Sequence, residues 1–257
     1  MTGARKQIRP GIRQASIAEF VTKRGEASVD LLATKFDTSS ETIRRDLTAL
    51  ANAGQLRKVH GGARALAAHG EGDFDTRMRR NTLAKHLIAE KMASLIKPHQ
   101  TLFLDTGSTT LICAAALAKI KNLTIITNST RIAACFAAGA GGANIYLLGG
   151  LYRGGNAQTV GAGTVSEIAN YNADMAILTI GAIDPSGAMD FSNQEAMVAR
   201  AMMQASARVA ILADHSKFDK RAAFKLSGLS GIDTLVSDRA PVGALASALL
   251  AAGTDVA

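Results

Sequence analysis

Two short stretches of this chain hold residue types whose spacing can do chemistry. In the first, Ser39-Ser-Glu-Thr-Ile-Arg-Arg-Asp-Leu-Thr48, two adjacent guanidiniums, Arg44 and Arg45, stand among the hydroxyls of Ser39, Ser40, Thr42 and Thr48. Arginine can donate two hydrogen bonds to a guanine edge, and serine and threonine contact bases or phosphates. The second is Asp105-Thr-Gly-Ser-Thr-Thr110. There Gly107 permits close backbone approach, and Ser108, Thr109 and Thr110 set hydroxyls beside the unpaired amides of a helix start, a cradle suited to phosphate. Each pattern alone has a plainer reading: an Arg-Arg pair is also a solvated helix face, and a Gly-Ser-Thr-Thr turn also caps a helix. The surrounding elements decide between them.

Around the first stretch, Ile17, Phe20 and Val21 at helical spacing predict a helix over residues 10–24, stopped by Gly25. Ser28 caps a second helix that buries Leu31, Leu32 and Phe36 before the turn at Asp37 and Thr38. Ser39 then caps a third, ended by Gly54, in which Ile43, Leu47 and Leu50 close one face onto the other two helices. With that face committed to a core, Ser40, Glu41, Arg44, Arg45 and Thr48 point outward, as in a helix that enters the major groove. Residues 56–60 read as a basic strand, Gly61-Gly62 as a turn and residues 63–66 as a returning strand. This wing would carry Arg57, Lys58 and His60 toward a phosphate backbone, although His60 equally suits a hydrogen bond that stabilises the turn.

Charge agrees with that placement. Of a net +8, residues 1–63 hold +5, including Arg5, Lys6 and Arg9, which is the footprint of a nucleic-acid-binding head. At 257 residues the chain suits two domains: a winged helix-turn-helix over 1–66, a polar linker over 67–77 and a larger domain over 78–257. No apolar run approaches the ~20 residues that span a bilayer, and the basic N-terminus is followed by no apolar signal region, so a cytoplasmic protein without a membrane partner is expected. Cys113 and Cys135 lie in Ala-rich apolar stretches and are expected as buried free thiols, with no metal site.

In the larger part, Leu83, Leu87, Met92, Leu95 and Ile96 predict a long helix ending at Lys97-Pro98. Short apolar strands then alternate with Ala-rich helices over 101–104, 123–127, 144–148, 175–180, 209–213 and 234–236. This is the pattern of an α/β domain with a mostly parallel sheet covered on both faces. Ligands of such sheets bind beyond the carboxyl ends of the strands. The groups there are Asp105 to Thr110, Thr127-Asn128, Gly149-Gly150 with Arg153, Gly181, and Asp214-His-Ser-Lys217. Lys217 could neutralise a phosphate and Asp214 could orient it or accept a sugar hydroxyl; a surface ion pair is the plainer reading of that spacing.

The run from Thr38 to Leu47, with Leu56-Arg-Lys-Val-His-Gly-Gly-Ala63 following, resembles the DeoR family of bacterial regulators. Lys58, where the family often has Arg, departs from it and loses a planar fork. Ala84-Lys85 departs where the family usually carries Glu-Lys, with only a surface ion pair expected to be lost. The larger domain resembles the family's sensor domain, which is similar to ribose-5-phosphate isomerase in fold. That resemblance implies a pocket for a phosphorylated sugar or sugar-like metabolite, lined by Asp105, Gly107, Ser108, Thr109, Thr110, Asp214 and Lys217, with Thr127, Asn128, Arg153 and Glu195 as secondary candidates. It implies operator DNA as partner, a homo-oligomer (dimer or tetramer), no cofactor and no catalysis, and it leaves open whether ligand releases or promotes DNA binding. The alternative is a sugar-phosphate isomerase fused to a DNA-binding head. Glu195 could serve as its base, but residues 184–194 contain no Lys to match the Lys-Gly-Gly-Gly stretch of those isomerases.

Overall fold

The computed structural model describes residues 10–24, 26–52, 56–65 and 72–257, without the side chains of Thr22, Lys23, Arg57 and Ala65. Gly25 and Gly54 as helix stops, Leu66, residues 67–71 of the expected linker, the basic residues Arg5, Lys6 and Arg9 and the Arg57 side chain lie outside the described residues. The chain divides into two compact units, Met1–Gly70 and Glu71–Ala257.

The first unit orders α1 (Pro10–Arg24), β1 (Glu26–Ser28), α2 (Val29–Lys35), α3 (Ser40–Asn52), β2 (Leu56–Val59) and β3 (Gly62–Ala65). Ser28 caps α2 through the Leu31 amide, and Ser39 accepts the Thr42 amide at the start of α3. Ile17, Val21, Leu32, Ile43, Leu47, Leu50 and Leu56 form one core, so the three helices and the wing share a single apolar centre. The strands pair antiparallel in the order β1-β3-β2. Two details differ from the sequence reading. The turn falls at His60-Gly61, so Gly62 already belongs to β3, and β1 adds an unforeseen third strand. Gly62 is what lets β1 approach, since a Cβ there would lie 2.3 Å from the Ala27 carbonyl oxygen.

In the second unit α4 (Phe74–Arg79) and α5 (Thr82–Leu95) precede alternating strands and helices: β4 (Thr101–Leu104), α6 (Ser108–Leu117), β5 (Thr124–Thr127), α7 (Thr130–Ala137) and β6 (Asn144–Leu147). A hairpin follows, β7 (Leu151–Arg153) and β8 (Gln158–Val160), and then α8 (Ala162–Ile168) and β9 (Met175–Thr179). The chain continues through β10 (Ala182–Asp184), β11 (Gly187–Asp190), α9 (Asn193–Gln204), β12 (Val209–Leu212) and β13 (Phe224–Ser227). It ends with β14 (Thr234–Val236), α10 (Gly243–Ala252) and β15 (Asp255–Val256).

Seven strands form one sheet in the order β15-β14-β12-β9-β4-β5-β6, and every pairing within it is parallel. Successive residues of its strands feed two cores: Phe103, Ile126, Leu178 and Ile211 pack on one face, and Leu102, Leu104, Ile125, Ile177 and Leu212 on the other. That alternation of apolar with apolar is why these strands read as short continuous runs. The six expected strands are present, joined by β15. The antiparallel β7-β8 hairpin and the β10-β11-β13 ribbon were not foreseen.

Helix α5 does not bury the leucines that its apolar pattern predicts. Leu83 is 88% exposed, and Leu87 and Leu95 also face outward, while the buried stripe is Lys85, Ile88, Ala89 and Met92. A further correction concerns the expected linker, whose second half is α4. Asp73 caps that helix by accepting the Thr76 amide at 2.8 Å, and Phe74 is buried beneath the Arg131 guanidinium, 3.9 Å from its ring centroid.

Candidate functional site

On the first unit, α3 presents Arg44 and Arg45 outward, Arg45 being 80% exposed at its side chain. Both face Glu41: Arg45 Nε donates to Glu41 Oε1 at 3.3 Å, and Arg44 Nη1 lies 3.9 Å from Glu41 Oε2. Thr48 donates its hydroxyl to the Arg44 carbonyl and accepts from Lys58 Nζ at 3.0 Å. Lys58 of the wing is thereby joined to the helix it flanks. Ser39 is committed to capping, with Thr42 beside it at 2.9 Å. Ser40 donates to Asp30 at 3.4 Å, and His60 is exposed at the wing turn. The inner face holds one residue that the apolar pattern missed. Asp46 is buried and accepts Arg13 Nε at 2.6 Å, Arg13 Nη2 at 3.3 Å and Gln14 Nε2 at 2.9 Å. This buried ion pair fixes α3 on α1, and a charge 33 residues away in sequence leaves no periodic trace.

In the second unit the polar groups converge where the order of strands reverses, between β4 and β9, the switch point at which open parallel sheets bind ligands. Asp105, just past β4, accepts the Thr179 amide from the end of β9 at 3.0 Å. Gly107 must be glycine here because a Cβ would lie 2.3 Å from Thr179 Oγ1. Asp105 lines a void of about 10 Å³, the size of a single water, with Thr106, Asn128, Gln158, Asp190 and Glu195. Its buried Oδ1 has no hydrogen-bond partner among the described residues. Burial holds its carboxyl well above the usual range, and the nearby Asp190 and Glu195 push the same way against the Thr179 amide.

Asp190 comes from the ribbon that the sequence reading did not foresee. Burial raises its pKa to about 6, opposed by the Ser192 amide, which donates to Oδ1 at 2.9 Å. Glu195 sits three residues after the cap Ser192, the spacing of a capping box. Because Asp190 already takes the Ser192 amide, Glu195 turns instead to Asn156 at 2.9 Å and Gln158 at 2.6 Å. On the other side of Glu195, a cavity of about 300 Å³ is rimmed by Arg153, which donates to Gln194 at 3.3 Å.

The cationic side of the site is built by α4, α5 and the start of α6. Lys85 is 4% exposed. Its amine donates to the Arg77 carbonyl oxygen and, at 2.9 Å, to Ser108 Oγ. Lys85 is therefore a buried group of the site, and not half of a surface pair as its sequence context suggests. Its position on the Ile88, Ala89 and Met92 stripe was the available signal. Burial lowers its pKa, with the Asp214 carboxylate opposing. Asp214 accepts from Asn81 Nδ2 at 2.8 Å and from the Ser216 amide at 3.0 Å. Burial brings Lys217 down to about 8, with Lys220 adding to the shift. The Arg77 guanidinium reaches Asn156 Oδ1 at 2.8 Å and so links this side to Glu195.

Asp105, Asn128 and Glu195 thus meet in one cavity, Ser108 meets Lys85, and Asp214 is drawn in through Asn81. Three expected residues serve the fold with the groups the structure assigns them: Thr127 Oγ1 accepts the Ser129 amide, Thr110 donates to the Gly107 carbonyl, and Thr109 is buried in the first turn of α6. Cys113 is buried with its thiol pushed up to about 12 by burial, while Cys135 is only half-buried.

The Asp190 shift has a stability consequence with a definite sign. A carboxyl whose pKa is higher in the folded state than in the unfolded chain stabilises the fold below about pH 4, and loses that contribution as the pH rises through about 6. Asp190→Asn is therefore expected to flatten the Tm profile of the full chain between those values. A slope equal to the wild type's would show that Asp190 titrates normally.

The chain matches two family models, a DeoR-like helix-turn-helix domain over residues 13–68 and a DeoR C terminal sensor domain over residues 80–239. It is 34% identical over 239 residues to the glycerol-3-phosphate regulon repressor of Haemophilus influenzae, covering 92% of each chain. It is 32% identical to the HTH-type transcriptional repressor CsqR of Escherichia coli, covering 92% of this chain and 91% of that one. It is 35% identical to the L-fucose operon activator of Haemophilus influenzae, covering 88% and 91%. Among solved structures, ribose 5-phosphate isomerase A from Methanocaldococcus jannaschii is similar at a TM-score of 0.41 and 15% identity, over 55% of this chain and 56% of that one.

Proposed function

This chain belongs to the DeoR family of DNA-binding transcriptional regulators, and on that premise we propose that a phosphorylated sugar or related metabolite, held by the second unit, sets its affinity for operator DNA. One observation carries the proposal. At the switch point of the sheet a buried ammonium, Lys85, stands on Ser108 at the start of α6, and carboxyls line the other end of the same polar network. The first arrangement suits a phosphate, given the free amides of a helix start. The second suits hydroxyls, with the unpartnered Asp105 Oδ1 as acceptor. The names of two relatives, a glycerol-3-phosphate regulon repressor and an L-fucose operon activator, lend support to a small polyol or sugar derivative.

The same reading places α3 in the major groove with Arg44 and Arg45 on base edges, and Lys58 and His60 of the wing on the backbone. Two heads in a homo-oligomer would grip paired half-sites, and exposed Tyr146, Leu147, Leu151 and Tyr152 along the β6-β7 edge offer apolar surface for self-association. Ligand binding favours one arrangement of the heads over the other and so shifts the grip on paired half-sites. A hundredfold change in operator affinity needs only about 3 kcal/mol of differential binding.

Thermal denaturation of the full chain against phosphorylated sugars and glycerol 3-phosphate, each beside its unphosphorylated parent, tests the ligand class. At ten times its Kd the effector is expected to stabilise by about 1.4 kcal/mol, a Tm rise of roughly 3–6 °C. A panel in which parents and phosphates behave alike would remove the phosphate from the reading.

A further inference from the structure

We propose that Lys85 is a latch between the effector cradle and α4, and that the phosphate of the effector opens it by drawing the amine away from the Arg77 carbonyl. The inference rests on the effector-site reading above and concerns how occupancy leaves that site.

Helix α4 has six residues, too few to persist without tertiary support. Its supports can be named. Phe74 is buried under Arg131, Arg77 reaches Asn156, and the carbonyl of Arg77 in its last turn accepts the Lys85 amine. That carbonyl also accepts the Arg80 amide, at 3.2 Å, so Lys85 acts as a side-chain cap on the end of the helix. The two polar supports named here lead to candidate effector residues. Lys85 continues to Ser108, and Asn156 continues to Glu195. Beyond the helix the chain turns sharply at Asn81, a non-glycine residue in the left-handed region at φ 50°, whose side chain is held by Asp214 and Ser216.

Lys85 is unusual among buried cations. The oxygens it contacts, a carbonyl and a hydroxyl, are both neutral, and the Asp214 carboxylate acts on it only through space. The ammonium supplies the only full charge in those two bonds; a phosphate seated at Ser108 would bring the opposite charge, and an ion pair away from bulk water outweighs a contact with a neutral carbonyl. The amine then leaves Arg77, the last turn of α4 loses its cap, and the helix loosens. In sequence, α4 is the first helix after the stretch that follows the DNA-binding unit, so the released segment is the one that leads to the head.

Hydrogen exchange read by mass spectrometry on the full chain, in inorganic phosphate and in chloride of equal ionic strength, tests the latch. Phosphate is expected to slow exchange at residues 108–110 and to speed it about tenfold at residues 77–80. In Lys85→Met, residues 77–80 should exchange at the fast rate in chloride and gain nothing from phosphate. Slowing at 108–110 with no change at 77–80 in the wild type overturns the latch and leaves the cradle standing. If neither segment responds, the cradle fails and the latch with it. The wild-type pair of conditions decides by itself, so the test survives a Lys85→Met variant that does not fold.

Discussion

Asp46→Ala is expected to destabilise the DNA-binding unit by about 3–5 kcal/mol, the usual cost of removing one member of a buried ion pair. The Asp46 carboxylate is 5% exposed and takes three donors from Arg13 and Gln14 on α1. Alanine would withdraw two acceptor contacts from the buried Arg13 guanidinium and one from the Gln14 amide. A unit of this size is held by only about 0.05–0.15 kcal/mol per residue, so the loss approaches its whole stability. Urea unfolding of the full chain should show the head melting at much lower denaturant, with the second unit unmoved. Asp46→Asn, which keeps the shape and an acceptor but not the charge, should fall between. If Asp46→Ala melts with the wild type, the α1–α3 contact is held by apolar packing alone.

Arg45→Ala should do the opposite, leaving stability intact and removing recognition. Arg45 is exposed and pairs with Glu41, so its loss changes the fold by no more than a surface substitution does. A good bidentate arginine contact discriminates bases by about 1–3 kcal/mol, so operator affinity should drop roughly 5- to 150-fold while affinity for unrelated DNA drops far less. Gel-shift titration on both DNAs, at one salt concentration, measures the ratio. The ligand-induced Tm rise should persist unchanged. Tight, sequence-selective binding by Arg45→Ala would take α3 out of the groove.

These variants separate what the sequence makes legible from what it hides. The parallel sheet is legible because strands buried on both faces must be continuously apolar, and the three helices of the head because Ile43, Leu47 and Leu50 repeat at helical spacing. Helix α5 misleads because its leucines dominate any count of apolar residues, while packing is decided by Ala89, small enough for α6 to approach, and by a lysine on the inner stripe. Asp105, Ser108 and Asp214 are legible as strand-end groups. Asp190 and Arg77 are not, because they arrive from a short antiparallel ribbon and from a helix inside what reads as a polar linker. Glu195 is legible as a residue type, but its freedom to face the cavity depends on Asp190 taking the amide that a capping box would use.

Glu41 has a consequence for how such a protein searches a genome. Arg44 and Arg45 both lean on it in the free head, so any encounter with DNA must first win the guanidiniums from an acid the protein carries itself. A random stretch of duplex offers only phosphates in exchange, whereas the right base edges offer paired acceptors as well. An internal competitor of this kind shortens dwell time on the vast excess of wrong sites more than on the few right ones. Glu41→Gln should accordingly tighten binding to unrelated DNA more than binding to the operator, trading search speed for grip.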